Sequence, residues 1–165
     1  MLVKPALIAV SAIALTGAAV FMTQAADQAV AHCQVPCGIY DDAARIAALQ
    51  EDAATIAKAQ AQLQTLVGKT DAQSFNQAAR WVATKEAHAS NVIKVVAEYF
   101  LTQKVKPVAP GTEGYDAYLQ KLANHHLVLN TAMKAKQSAD PATADNLAHA
   151  IIHMGEYYGV AGHDH

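Results

Sequence analysis

From Asp41 onward the residues that break helices are confined to a few short stretches, and the segments between them place apolar side chains every three or four residues. That alternation leaves few options other than packed helices. From Asp41 to about Val67 the stripe is Ile46, Leu49, Ala53, Ile56, Ala59, Leu63 and Leu66, with Asp41 and Asp42 where a cap and first-turn acids belong. Gly68-Lys69-Thr70-Asp71 makes a stop and a turn. A second helix is expected from about Ala72 to Val105, with Phe75, Ala79, Val82, Ala89, Ile93, Val96 and Phe100 along its buried face. Glu86 falls on that stripe. Either it faces the core and needs a partner, such as Arg80, His88 or a group on an opposing helix, or the stripe is wide enough for it to reach solvent. Lys106-Pro107-Val108-Ala109-Pro110-Gly111 is a loop, too short for an interdomain linker. Tyr115, Leu119, Leu122, His126, Leu129 and Met133 mark a third helix ending near Gln137-Ser138. Asp140-Pro141 opens a fourth, with Asp as cap and Pro at the first helical position, continued by Leu147, Ile151, Met154 and Tyr158. Long helices joined by short turns predict an all-α fold, an antiparallel up-down-up-down four-helix bundle over residues 41–160. Frequent Ala, few aromatics and no strand pattern agree with this.

Twelve Lys and Arg against fourteen Asp and Glu give a near-balanced charge, so nucleic acid is not an expected partner. GxSxG, P-loop, CxxCH and HExxH motifs are absent, so hydrolase, nucleotide and haem readings have no residues behind them. Residues 1–31 carry Lys4, an apolar run from Ala6 to Met22, and then polar and small residues, which reads as a cleaved leader. The run is shorter than the roughly 20 residues of a spanning helix. A retained anchor is the alternative, and no membrane association is expected once the leader is gone. Ala29 and Ala31 stand where a signal peptidase reads small residues. Thr23-Gln24-Ala25 offers an earlier cut that would need a second trimming step. Cleavage after Ala31 leaves 134 of the 165 residues, beginning at His32, in an exported and therefore periplasmic protein.

Both cysteines lie just after that cut, in His32-Cys33-Gln34-Val35-Pro36-Cys37-Gly38-Ile39-Tyr40. Pro36 and Gly38 bend the backbone so that both sulfurs can face one point. A terminal His-Cys offers an α-amine, an imidazole, an ionisable amide and a thiolate, and Cys37 adds a second thiolate. Mixed nitrogen and sulfur donors of this kind suit a planar or square-pyramidal nickel or copper centre better than tetrahedral zinc. The bland alternative is a small disulfide loop, favoured by an oxidising compartment. It explains neither His32 nor the cleavage site.

The pattern HCxxPCGxY at a processed amino terminus resembles the nickel hook of nickel superoxide dismutases, whose subunit is also a four-helix bundle with the hook at its amino end. The resemblance implies a domain over 32–165, with the hook at 32–40. It implies that nickel is held in a plane by the His32 amine, the Cys33 amide nitrogen and the Cys33 and Cys37 sulfurs, with the His32 imidazole as an axial ligand in the oxidised state. Thiolate and amidate donation lower the potential of nickel until one superoxide can be oxidised to dioxygen and the next reduced to hydrogen peroxide. Tyr40 matches the family tyrosine over the open face of the metal, where a phenol orders a small anion or water. The resemblance also implies a homo-hexamer, whose neighbouring subunits cover the hook. Two departures stand out: Ala47 follows Arg45-Ile46 where family members carry a Glu that holds the axial imidazole, and His88 takes the place of an Arg that steadies it. The competing readings are an exported nickel- or copper-binding helical protein without turnover, and a structural domain whose cysteines pair.

The remaining histidines point to weaker sites. His125 and His126 are adjacent on a helix, about 100° apart, and cannot serve one metal together. His149 and His153 share a face, with Glu156 nearby, in a spacing that can hold zinc or copper but more often marks ordinary surface histidines. Gly162-His163-Asp164-His165 reads as a frayed tail.

Overall fold

The structure, a computed structural model, describes residues 41–160. Helix α1 spans Asp42–Thr65, α2 spans Ala72–Val95, α3 spans Tyr115–Gln137 and α4 spans Ala142–Glu156. Three of the four starts, those of α1, α2 and α4, are set by an acidic side chain. Asp41 Oδ1 accepts the Ala43 N–H at 2.8 Å, and Asp140 Oδ1 accepts that of Ala142 at 3.0 Å. At the start of α2, Asp71 takes both the Ser74 N–H at 2.9 Å and the Ser74 hydroxyl at 2.7 Å. Those hydrogen bonds hold the Asp71 carboxyl below its ordinary pKa. Gly68, just past α1, has φ +78°, a left-handed turn that reverses the chain.

Contacts at the two ends fix the directions. At one end Gln60, late in α1, reaches the end of α3 and the start of α4, donating to Ser138 O at 3.1 Å and Thr143 Oγ1 at 2.8 Å. Lys85 of α2 donates to the Ala135 and Lys136 carbonyls at that same end of α3. At the other end Asp42, the first residue of α1, meets Tyr99 and Lys104 beyond α2. Helix α1 packs on α2 and α4, and α3 packs on α2 and α4. The chain thus forms the antiparallel four-helix bundle expected, all-α, with no strand among the described residues. Its core is Ile46, Leu49 and Ile56 of α1, Val92 of α2, Val128 and Ala132 of α3, and Leu147, Ile151 and Met154 of α4, together with Val96 and Phe100. Helices α1 and α4 approach closely at Gly155: a β-carbon there would lie 3.2 Å from Ile46 Cγ2. None of the described helices is long and apolar enough to cross a membrane.

The structure differs from the periodicity in three places. The helix expected to run unbroken to Val105 changes at Val96 into π-helical turns over Val96–Lys104, closed by Val105 N–H to Phe100 O at 3.0 Å. Widening the turn by one residue brings the neighbours Tyr99 and Phe100 both into buried positions. In α2 the outer face carries Phe75 (63 % exposed) and Val82 (39 %), while Ser74, Lys85, Ala89 and Val92 point inward. Glu86 is exposed, and the charge buried on this helix is that of Lys85. In α3 the inward face is His125, Val128, Ala132 and Ala135, leaving Leu119 and Met133 outside. Both helices carry two faces with apolar residues, and small side chains won the interior because they let the helices approach.

Candidate metal centre

The residues proposed to bind and use the metal, His32, Cys33, Cys37 and Tyr40, lie outside the described residues, as do the leader and the histidine tail. What the structure describes is the base on which that segment ends. Asp41, directly after Tyr40, caps α1. Asp42 is then fixed from two sides: Tyr99 donates its hydroxyl to Oδ1, and Lys104 Nζ lies 2.8 Å from Oδ2. The Arg45 guanidinium stands 5.2 Å from the centre of the Tyr99 ring, and Lys104 Nζ stands 5.6 Å from it. Burial first, and the Asp42 carboxylate second, push the Tyr99 phenol above its usual pKa, so it stays a hydrogen-bond donor. The hydrogen bond to Asp42 is the leading cause of the raised Lys104 pKa. The π-helical turns make this clasp, since they deliver Tyr99 and Lys104 to the same residue.

His88 does not stand alone in the place of the missing arginine. Its Nδ1 lies 2.6 Å from Asp52 Oδ1, and the other oxygen of Asp52 accepts from Asn91 Nδ2 at 2.7 Å. Asp52 is buried on α1, so this cluster ties α1 to α2 and leaves Nε2 of His88 outside that contact.

Beside the Asp42 clasp the core turns polar. His125, fully buried, donates Nδ1–H to the Lys121 carbonyl at 2.7 Å, which leaves Nε2 bare to accept the Tyr158 hydroxyl, also at 2.7 Å. Phe100 packs 4.6 Å from the Tyr158 ring. Burial drives the His125 pKa down and that of Tyr158 strongly up, so both are neutral. His126 is exposed. His149 and His153 are exposed on α4, with His153 Nδ1 3.5 Å from Glu156. No three His, Cys, Asp or Glu side chains come together to hold a metal among the described residues.

Sequence reasoning missed Asp52, Tyr99, Lys104 and the His125–Tyr158 pair as polar contacts. Tyr158 was legible as a position on the α4 stripe and is half-buried, but nothing in the sequence joins it to a residue 33 positions earlier.

The comparisons address the segment beyond this base. No curated protein and no solved structure matches the chain. The family model described as nickel-containing superoxide dismutase matches residues 27–160, a span that takes in both cysteines, His32 and all four helices. The matched span contains two cysteines and a histidine within six positions, residue types that supply the sulfur and nitrogen donors nickel favours. The chain therefore belongs to the nickel-containing superoxide dismutase family, with superoxide as its substrate and nickel as its cofactor.

Proposed function

We propose that dismutation in this chain takes place at a hook formed by residues 32–40, with His32, Cys33 and Cys37 as the nickel ligands and Tyr40 as the residue over the open face. Bound there, nickel would supply the one-electron chemistry by which one superoxide is oxidised to dioxygen and the next reduced to hydrogen peroxide. The residues do the rest. The Cys33 and Cys37 thiolates and the Cys33 amide nitrogen would bring the potential into range, and the His32 amine and imidazole would be the further nitrogen donors. The Tyr40 hydroxyl orders the incoming anion and passes on protons, two of which are consumed for each peroxide formed. The observation that carries this reading is positional. The family match spans the only two cysteines of the chain, the described helices hold no cluster of three ligands, and α1 is clamped at Asp42, two residues after Tyr40.

The same reading makes residues 1–31 a leader whose removal creates the His32 amine, in a periplasmic protein matured by a leader peptidase. It also makes the working form a homo-hexamer. Superoxide decay with two nickel-loaded proteins tests the ligand set, one starting at His32 and one retaining Ala31 before it. Turnover is expected only in the first. Equal turnover in both, or none in either with nickel confirmed bound, overturns the amine-dependent hook.

A further inference from the structure

A half-buried phenol resting on a buried imidazole is an unusual choice for the end of an apolar core, where an aliphatic and a phenylalanine would pack as well. The Tyr158 hydroxyl donates to His125 Nε2 at 2.7 Å, and the Nδ1–H of the same ring is anchored on the Lys121 carbonyl at 2.7 Å. The imidazole is fully buried, so no water competes for Nε2. Two hydrogen bonds in series therefore connect a phenol, a base and a fixed acceptor. From this geometry we propose that Tyr158 is a redox-active residue: it yields one electron to a strong one-electron oxidant while its proton moves to His125 Nε2, leaving a neutral phenoxyl radical and an imidazolium that keeps its bond to Lys121 O.

The balance is complete. The O–H bond of Tyr158 breaks, the N–H bond on His125 forms, and the oxidant is reduced by one electron. Without a local base a neutral phenol must release its proton to water, which is slow below its pKa. With Nε2 in hydrogen-bond contact, the proton travels within a bond already made. The surroundings tune the step rather than block it. Lys121 Nζ sits 4.6 Å from the Tyr158 ring centre and opposes positive charge there, while the Asp42 carboxylate and the Tyr99 phenol bear on Tyr158 from α1 and the π-helical turns. Tyr157, 40 % exposed and with its ring 6.3 Å from that of His125, gives the oxidising equivalent a way to the surface. In an enzyme whose product is hydrogen peroxide and whose proposed ligands are thiolates, such a residue would take up a stray oxidising equivalent before a cysteine does.

The assay is flash oxidation by photogenerated ruthenium(III) tris-bipyridyl. It uses the full-length chain carrying Cys33→Ser and Cys37→Ser, so that thiols do not compete and nickel is not involved. Tyrosyl radical is followed by transient absorption and by electron paramagnetic resonance. A tyrosine without a base is oxidised through its phenolate, whose fraction rises about tenfold per pH unit below a pKa of about 10. The expected result is a component whose rate does not change between about pH 6 and pH 9, well below that pKa. It should be lost in Tyr158→Phe and kept in Tyr99→Phe. In His125→Gln, where the amide oxygen still accepts the hydroxyl but cannot take the proton, the component should become pH-dependent. Its survival in Tyr158→Phe, its loss in Tyr99→Phe, or an unchanged pH-independent rate in His125→Gln would each overturn the proposal. Failure here leaves the nickel hook untouched, since no step of the assay uses it.

Discussion

Gly155 is a point of close approach between α4 and α1, and Gly155→Ala sets two terms of opposite sign against each other. A glycine inside a helix is about 1 kcal/mol less favourable than alanine, so the substitution gains that much in helix propensity. Against it, the new β-carbon would stand 3.2 Å from Ile46 Cγ2 and 3.5 Å from Val160 Cβ. Ile46 is fully buried and part of the core, so it cannot swing aside and α1 must shift by a few tenths of an ångström. Overpacking of this kind costs about 1–3 kcal/mol. The packing term wins, giving a net loss of about 1 kcal/mol, or a fall in Tm of about 4 °C for a domain of this size. Ile46→Leu removes the branch that makes the close contact. In that background Gly155→Ala should be neutral or raise Tm, and the difference between backgrounds is the coupling energy. Thermal and urea unfolding followed by circular dichroism at 222 nm, the usual helix band near ~220 nm, reads all four proteins. A Gly155→Ala protein more stable than its parent, or an equal effect in both backgrounds, would show that α1 and α4 do not meet at this contact.

Two further expectations concern buried charges. Lys85→Met takes the ammonium donor from the Ala135 and Lys136 carbonyls at the end of α3, of which Ala135 keeps the Gln60 amide at 3.3 Å, and should lower stability by about 1 kcal/mol at pH 7. Burial holds the Lys85 pKa in the folded protein below its unfolded value, so the unfolded chain binds more protons as pH approaches the ordinary lysine range; the parent gains stability there and the deficit of Lys85→Met should widen, as urea titrations across that window would record. At the Asp52 cluster, His88→Ala strips one of two donors from a buried carboxylate, whereas Asp52→Ala frees a half-exposed imidazole and an exposed amide to water. His88→Ala should therefore be the costlier change by about 1 kcal/mol, and adding Asp52→Ala to it should recover stability. A double variant weaker than the sum of the two singles would refute that accounting.

The fold was legible where a helix carries a single apolar face. Ile46, Leu49, Ala53, Ile56 and Ala59 on α1, and Leu147, Ile151 and Met154 on α4, are all buried as their spacing requires. On α2 and its π-helical continuation the spacing found Ala89, Val96 and Phe100 in the core but also put Phe75 and Val82 there, and on α3 it put Leu119 and Met133 inside. Phe75, Val82, Leu119 and Met133 repeat at helical intervals as faithfully as the residues that are buried, and periodicity ranks faces by bulk, whereas the bundle ranks them by how closely the helices pack. Lys85 and His125 were unreadable as interior residues for the same reason, because what makes them tolerable is a carbonyl or a hydroxyl supplied from a distant part of the chain. The proposed hook stood out in the sequence because its chemistry depends on residue types within nine positions. Its clasp did not, since Tyr99 and Lys104 reach Asp42 across 57 and 62 positions.

The nine residues of the π-helical turns, Val96–Lys104, hold one residue more than an α-helix would fit into the same hydrogen-bonded ring. Deleting a single residue within this stretch would let the ring close in the ordinary way, and every position after the deletion would swing by about 100° about the axis. Lys104 would leave Asp42, and the first residues of the bundle would lose their ammonium partner while the four helices kept their lengths. The length of this segment, more than the identity of any residue in it, sets which side chains reach the start of α1.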